Sequence, residues 1–181
     1  MPDTLHPAHA LGGAEPQEHA VGPCTLRERP DLALALLAVR CDADAAPLAA
    51  WLGEPLPGPG RWTGTAERGA IWAGRGRWLI GTPHRHGLAA ELQALAPGFR
   101  AVEQSDAFVR LDLDGEGWEA ATDLLCALDL RRATPGFGAR TAVERTGCYV
   151  LLRRGGVAFL VPRASAASVH HAILAAMVAA L

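Results

Sequence analysis

The chain has 181 residues, which suits one domain or two small halves sharing a core. Hydrophobic residues make up 50% of it, enough for a sizeable core without disulfide or metal staples. With 17 basic and 19 acidic side chains the formal charge is −2, and that balance excludes the broad basic footprint of a nucleic-acid binder.

No block of like charges suggests a tail for a membrane or a polyanion. Cys24, Cys41, Cys126 and Cys148 form no C-x-x-C pair, so reduced, buried thiols in a cytoplasmic protein are expected. The first residues lack the basic start and apolar stretch of a secretory leader. Nowhere is there the run of about 18 apolar residues that a spanning helix needs.

Residues 1–30 mix Pro, Gly, His and Glu without a period and read as a mobile N-terminal segment. Leu32 to Val39 reads as a strand. Asp42 then resembles the N-cap of a helix running through Ala49, Trp51 and Leu52 to a stop at Gly53. Pro55, Pro57, Gly58, Pro59 and Gly60 mark an irregular loop. Ala70–Ala73 and Trp78–Ile80 are short apolar runs about Gly74-Arg75-Gly76, a hairpin. Thr82-Pro83 is expected to cap a helix to about Leu95, ended by Pro97-Gly98.

A second series follows. Phe108 to Leu113 alternates apolar and polar side chains, the pattern of a half-buried strand, with a turn expected at Asp114-Gly115. Trp118, Ala121, Leu124 and Leu125 recur at helical spacing. Strands are expected near Thr141–Arg145, Tyr149–Arg153 and Val157–Val161, the last two joined by Gly155-Gly156. A helix runs from about Ala164 to the end. The expected fold class is α+β, two related β-α-β-β-α units with an extra strand in the second: 31–100 and 101–181, forming one compact fold.

Candidate chemistry is sparse. His84 and His86 flank Arg85 at an expected helix start with no third ligand nearby, which favours a solvated pair over a metal site. His170 and His171 are helix neighbours and point apart; His6, His9 and His19 fall in the expected mobile segment. Asp112, Asp114, Gly115 and Glu116 fail the calcium-loop spacing and read as a solvated turn. Ser105-Asp106 and Ser165, Ser168 and His170 lack the turn that exposes a nucleophile. Gly74-x-Gly76 and Gly136-x-Gly138 complete no phosphate-binding motif. Cys148 reads as a core thiol. Among Trp51, Trp62, Trp72, Trp78 and Trp118, one or two exposed rings would suit an interface anchor.

The order of features becomes specific in the second series. Ser105-Asp106-Ala107 precedes the alternating strand; Leu128-Asp129-Leu130, a Pro135-x-x-Gly138 loop and Thr141 follow; Val161-Pro162-Arg163-Ala164-Ser165 opens the last helix. Upstream, Ile71-Trp72-Ala73-Gly74 and Arg77-Trp78-Leu79-Ile80 are similar to a W-x-G-P-x-x-W-L hairpin, with Arg75 and Gly76 at its Pro and Asp positions. Over roughly residues 25–178 this series resembles the gamma subunit of heterotetrameric sarcosine oxidase, a relative of the folate-binding aminomethyltransferase fold.

The resemblance implies that fold and a set of partners. These are an alpha subunit with NAD and tetrahydrofolate sites, a beta subunit with FAD and FMN, and a delta subunit with zinc. It also implies a cytoplasmic complex that oxidises sarcosine to glycine, forming hydrogen peroxide and passing the methyl carbon to tetrahydrofolate or releasing formaldehyde. The aminomethyltransferases carry acidic residues in the strand after a Gly-rich turn. The comparable stretch, Thr146 to Leu152, has no carboxylate for acid–base work. No catalytic, cofactor-binding or metal residue is therefore expected in this chain. Gly147-Cys148-Tyr149 also matches the middle of a K-G-C-[FY]-x-G-[QK]-E motif in a folate-dependent iron–sulfur repair protein, with Val150, Leu151 and Leu152 in place of the rest. The alternatives are a stand-alone folate-binding one-carbon protein and an unrelated interaction module.

Overall fold

A computed structural model describes residues 9–40, 43–65, 68–83 and 85–181. A short hairpin, β1 (Glu18–Val21) and β2 (Cys24–Arg29), comes first. β3 (Leu32–Val39) follows, apolar on both faces because both are covered. α1 (Ala46–Leu52) carries Pro47 in its first turn and ends at Gly53, whose φ of 81° suits the left-handed C-cap. Then come β4 (Trp62–Gly64), β5 (Gly69–Gly74), β6 (Arg77–Pro83), α2 (Leu88–Leu95) and β7 (Phe99–Glu103). The second half contains β8 (Phe108–Gly115), α3 (Trp118–Asp123), β9 (Gly138–Val143), β10 (Thr146–Arg153), β11 (Gly156–Pro162), a 3-10 turn (Arg163–Ser165) and α4 (Ala166–Ala180).

The fold is α+β, with two antiparallel sheets ordered β1-β2-β8-β11-β10-β9 and β4-β5-β6-β3-β7. Side-chain parity separates three cores. Ala33, Ala35 and Leu37 of β3 pack with Leu48, Leu52, Leu88 and Leu92 of α1 and α2. Val157, Phe159 and Val161 of β11 pack with Val169, Ile173 and Met177 of α4. Between the sheets, Leu34, Ile71 and Leu79 meet Tyr149, Leu151, Ala158 and Leu160. The layers are therefore helix, sheet, sheet, helix.

Topology reveals an internal repeat. Each half is a strand followed by β-α-β-β-β-α: β2 then β3 to α2, and β7 then β8 to α4. Within the halves the strand orders correspond, β3-β6-β5-β4 and β8-β11-β10-β9. The leading strands are exchanged: β2 pairs with β8, and β7 pairs with β3. The two crossings tie the sheets together. Leu34 N–H donates to Ser105 Oγ at 3.0 Å, and Gln104 N–H donates to Leu34 O at 2.7 Å.

Several expectations change. Residues 18–29, expected within a mobile segment, form β1 and β2. They are ordered by pairing with β8 and by the buried Glu28, whose carboxylate accepts N–H groups of Leu11 and Gln17 at 3.3 and 3.2 Å. The extra strand is not confined to the second half, because β4 supplies its counterpart in the first. Thr82-Pro83 ends β6 instead of capping a helix: Thr82 pairs with Ala33 and Pro83 with Leu32, and α2 starts after Gly87. β8 runs through the expected turn at Asp114-Gly115, and the strand expected at Thr141–Arg145 ends earlier, with Glu144 at a φ of 56°. The Asp42 cap, Cys41, His6 and His84 lie outside the described residues.

Candidate functional site

The stretch that lacks carboxylates is β10, at the centre of the molecule. Cys148, Val150 and Leu152 face the α3/α4 side, while Tyr149 and Leu151 face the space between the sheets. Burial pushes the Cys148 thiol up to about 11, so it stays protonated and unreactive near neutral pH. Cys24, Cys126 and Cys148 are free thiols.

The other candidates resolve into structural roles. Ser105 Oγ joins the two sheets through Leu34 and donates to Glu103, so it is no exposed nucleophile. His170 is buried and His171 is exposed, as expected of helix neighbours. The His170 ring lies 5.0 Å from that of His19 on β1. Burial, then the His19 imidazole, lowers the His170 pKa from 6.5; Glu28 opposes this and His171 adds to it. His9 reaches Ala14 O at 3.1 Å, and no group of three metal-ligating side chains occurs among the described residues. Gly138 packs where a Cβ would lie 3.0 Å from Trp62, a close-approach role and no phosphate cradle.

The reading of Asp112 and Asp114 as a solvated turn is wrong. Both lie on β8, and Asp112 is only 2% exposed. Arg110 binds Asp112 side-on, at 2.7 and 3.0 Å. Arg29 and Arg153 each approach it at 3.8 Å, and Arg153 also donates to Asp114 at 2.7 Å. On the same face Arg27 meets Glu18 at 2.9 Å. Burying a carboxylate costs several kcal/mol unless it is paired, and this pairing meets that requirement. Every carboxylate of the network is paired, and of its buried side-chain atoms among the described residues only Arg153 Nε is left without a partner, a structural arrangement more than a reactive one.

None of the five tryptophans is strongly exposed; Trp118 is buried and the others are half-buried. Trp51 is the most elaborately held. Its indole N–H donates to Glu91 at 3.0 Å, and the Arg68 and Arg85 guanidiniums lie 4.5 and 5.7 Å from the ring centre. These contacts clamp α1 to α2.

Two concave features remain. A cavity of about 110 Å³ opens at the seam between the sheets, with Leu34, Trp62, Ile71 and Leu160 in its wall and Arg29 and Arg110 beside them. Pockets for drug-sized ligands run to about 300–1,000 Å³, so the seam holds no more than a side-chain-sized group. A larger hollow of about 500 Å³ lies where His9, Ala10 and Ala14 meet the two sheet connections. Its Glu28 is already committed to backbone N–H groups.

The layered architecture can be placed against solved structures. It matches a chain of heterotetrameric sarcosine oxidase from Corynebacterium sp. U-96, in complex with pyrrole 2-carboxylate, at a TM-score of 0.75. The match covers 88% of this chain and 87% of that one, at 22% identity. The two chains share a fold. A distant match to the regulatory subunit of aspartate kinase from Thermus thermophilus has a TM-score of 0.44 at 14% identity. No protein-family model matches the sequence, and no curated protein does.

The surface has a further feature. α4 carries no charged residue in its 15 positions. Its outward side presents Ala167, His171, Ala175, Val178 and Ala179, with Val178 68% exposed. A solvent-facing helix ordinarily carries charges there. No helix among the described residues is long and apolar enough to cross a membrane.

Proposed function

We propose that the chain is a non-catalytic subunit, of the gamma type, in a sarcosine-oxidase-like flavoenzyme complex, and that its role is assembly. The observation that carries this reading is the fold shared with a sarcosine oxidase chain over nearly the full length of both. Two local features support it. β10 brings Cys, Tyr, Val and Leu to the middle of the molecule and no acid–base group. The uncharged outer side of α4 suits burial against another subunit.

On this reading the partners are alpha, beta and delta subunits in the cytoplasm. FAD, FMN, NAD, tetrahydrofolate and zinc reside in them, and the chemistry, oxidative demethylation of sarcosine to glycine with peroxide formed, is theirs. This chain holds subunits in register.

Purification of the tagged chain from its native cells tests the reading. Large flavin-bearing subunits and sarcosine-dependent peroxide formation are expected to co-purify. Val178→Glu should release the chain from the complex while leaving its own thermal midpoint unchanged. A lone monomer that binds tetrahydrofolate would overturn the proposal in favour of a one-carbon protein.

A further inference from the structure

All 17 basic side chains of the molecule are arginines. Most with a carboxylate nearby are paired, as around Asp112. Others have no ion pair, Arg145 and Arg154 beside β10 among them, and the fold gathers four of these, Arg40, Arg75, Arg77 and Arg100, at one end of the second sheet. Arg77 on β6 and Arg100 on β7 both pair in register with Ala38 of β3, one from each side. Directly paired residues of an antiparallel sheet point to one face. Ala38 shares the face of Leu34 and Leu36, which is the inner face. Arg77 and Arg100 therefore flank β3 on that face, two strand spacings or about 10 Å apart. Arg75 sits in the adjoining turn and Arg40 directly follows β3, anchored by Arg40 N–H to Gly98 O at 3.0 Å.

All four are exposed. None has a side-chain hydrogen bond or ion pair among the described residues. The neighbouring described carboxylates are turned elsewhere: Asp44 accepts Ala46 N–H, and Glu103 accepts Ala89 N–H and the Ser105 hydroxyl. On the same face as Arg100 lies Val102, paired with Leu36 and 54% exposed, whereas Val39, 41% exposed, pairs with Phe99 and points to the helix-covered face. Both belong to a set of only five large hydrophobic residues that are exposed among those described. β7 is also the outer strand of its sheet.

We propose that this end of the sheet is a docking surface for an acidic protein segment, with an aliphatic side chain seated against Val102 and carboxylates on the guanidiniums. The planar fork of arginine takes a carboxylate through two parallel hydrogen bonds, which a point charge does not. Four uncompensated positive charges on a chain of net charge −2 are a local departure with one matching chemistry. The exposed Val102 beside Arg100 favours a protein partner, since a polyphosphate gives an aliphatic surface nothing to bury. The surface is separate from α4, which lies in the opposite outer layer, and its partner is a further contact within the assembly already proposed, on which this inference rests.

The test uses the full chain in its purified complex. The double variant Arg77→Glu/Arg100→Glu is compared with Arg77→Gln/Arg100→Gln, with thermal midpoints as a folding control. Charge reversal is expected to weaken retention of the chain at least about tenfold at about 0.05 M salt, the neutral pair less, with both differences shrinking at about 0.5 M salt as charges are screened. Retention unaffected by either pair, while Val178→Glu releases the chain, overturns the docking surface and leaves the assembly reading standing. A chain that purifies with no partner overturns both. Binding of a single-stranded DNA oligonucleotide to the isolated chain, abolished by the reversal while retention is unchanged, assigns the patch to phosphate and also overturns the proposal.

Discussion

The inner face of β2 and β8 and the inner face of β3, β6 and β7 occupy corresponding places in the repeat, yet they treat charge in opposite ways. On the first, arginines alternate with carboxylates across the register: Glu18 opposite Arg27, and Arg27 opposite Asp112. Arg29, Arg110 and Arg153 then close around Asp112. On the second, Arg77 and Arg100 face Ala38 and meet no carboxylate. The same exchanged-strand framework thus carries one face that pairs its charges within itself and one that leaves its charges for something else. A self-neutralised network contributes to the chain's own folding, whereas unpaired surface charges contribute little to it. The difference separates what the molecule needs to stand from what it offers outward.

The sharpest way to break this comparison is Asp112→Ala. It strands Arg110, with Arg29 and Arg153 beside it, and should cost about 3–5 kcal/mol in urea denaturation, the usual penalty for removing one partner of a buried ion pair. A loss under about 1 kcal/mol would mean that water already serves these guanidiniums and that the two faces are alike.

A smaller effect is expected from pH at the edge of the charge-paired sheet. Folded His170 has a lowered pKa, so the unfolded chain binds its proton more readily. Stability is then full above the unfolded value near 6.5 and falls as pH drops below it, until the folded group also titrates. His170→Phe should flatten that part of the stability curve, measured by thermal midpoints between about pH 7 and 5. An unchanged slope would assign the acid loss to other groups.

The smallest expected effect lies on the outward-looking face. Arg77→Glu and Arg100→Glu should each change the isolated chain's stability by less than about 0.5 kcal/mol, even as they weaken docking. A loss of about 2 kcal/mol or more would show that this face too is built for folding.

Much of the framework was legible in the sequence because it is written in local periodicity. β3 was found with its observed ends, since an unbroken apolar run bounded by Asp31 and Arg40 has few other readings. The β5–β6 and β10–β11 hairpins followed from glycine turns between apolar runs, and α1 ended at the expected Gly53. Strands that break the rules were missed. β2 carries the buried Glu28, whose partners are the distant Leu11 and Gln17. β4 is three residues long and follows a Pro/Gly loop. β7 is short and presents Arg100 and Val102 to solvent.

For the candidate site the division is similar. The sequence alone established that β10 lacks a carboxylate, because that is a property of consecutive residues. Its overall charge balance also argued against a basic footprint, and that inference held only for the chain as a whole. Only the tertiary structure decided that Asp112 is buried among arginines, that β2 and β7 change sheets, and that Arg40, Arg75, Arg77 and Arg100 share one end of one sheet. Each depends on register between strands far apart in the chain. Register is settled when the sheets close on their common core, and no local pattern encodes it.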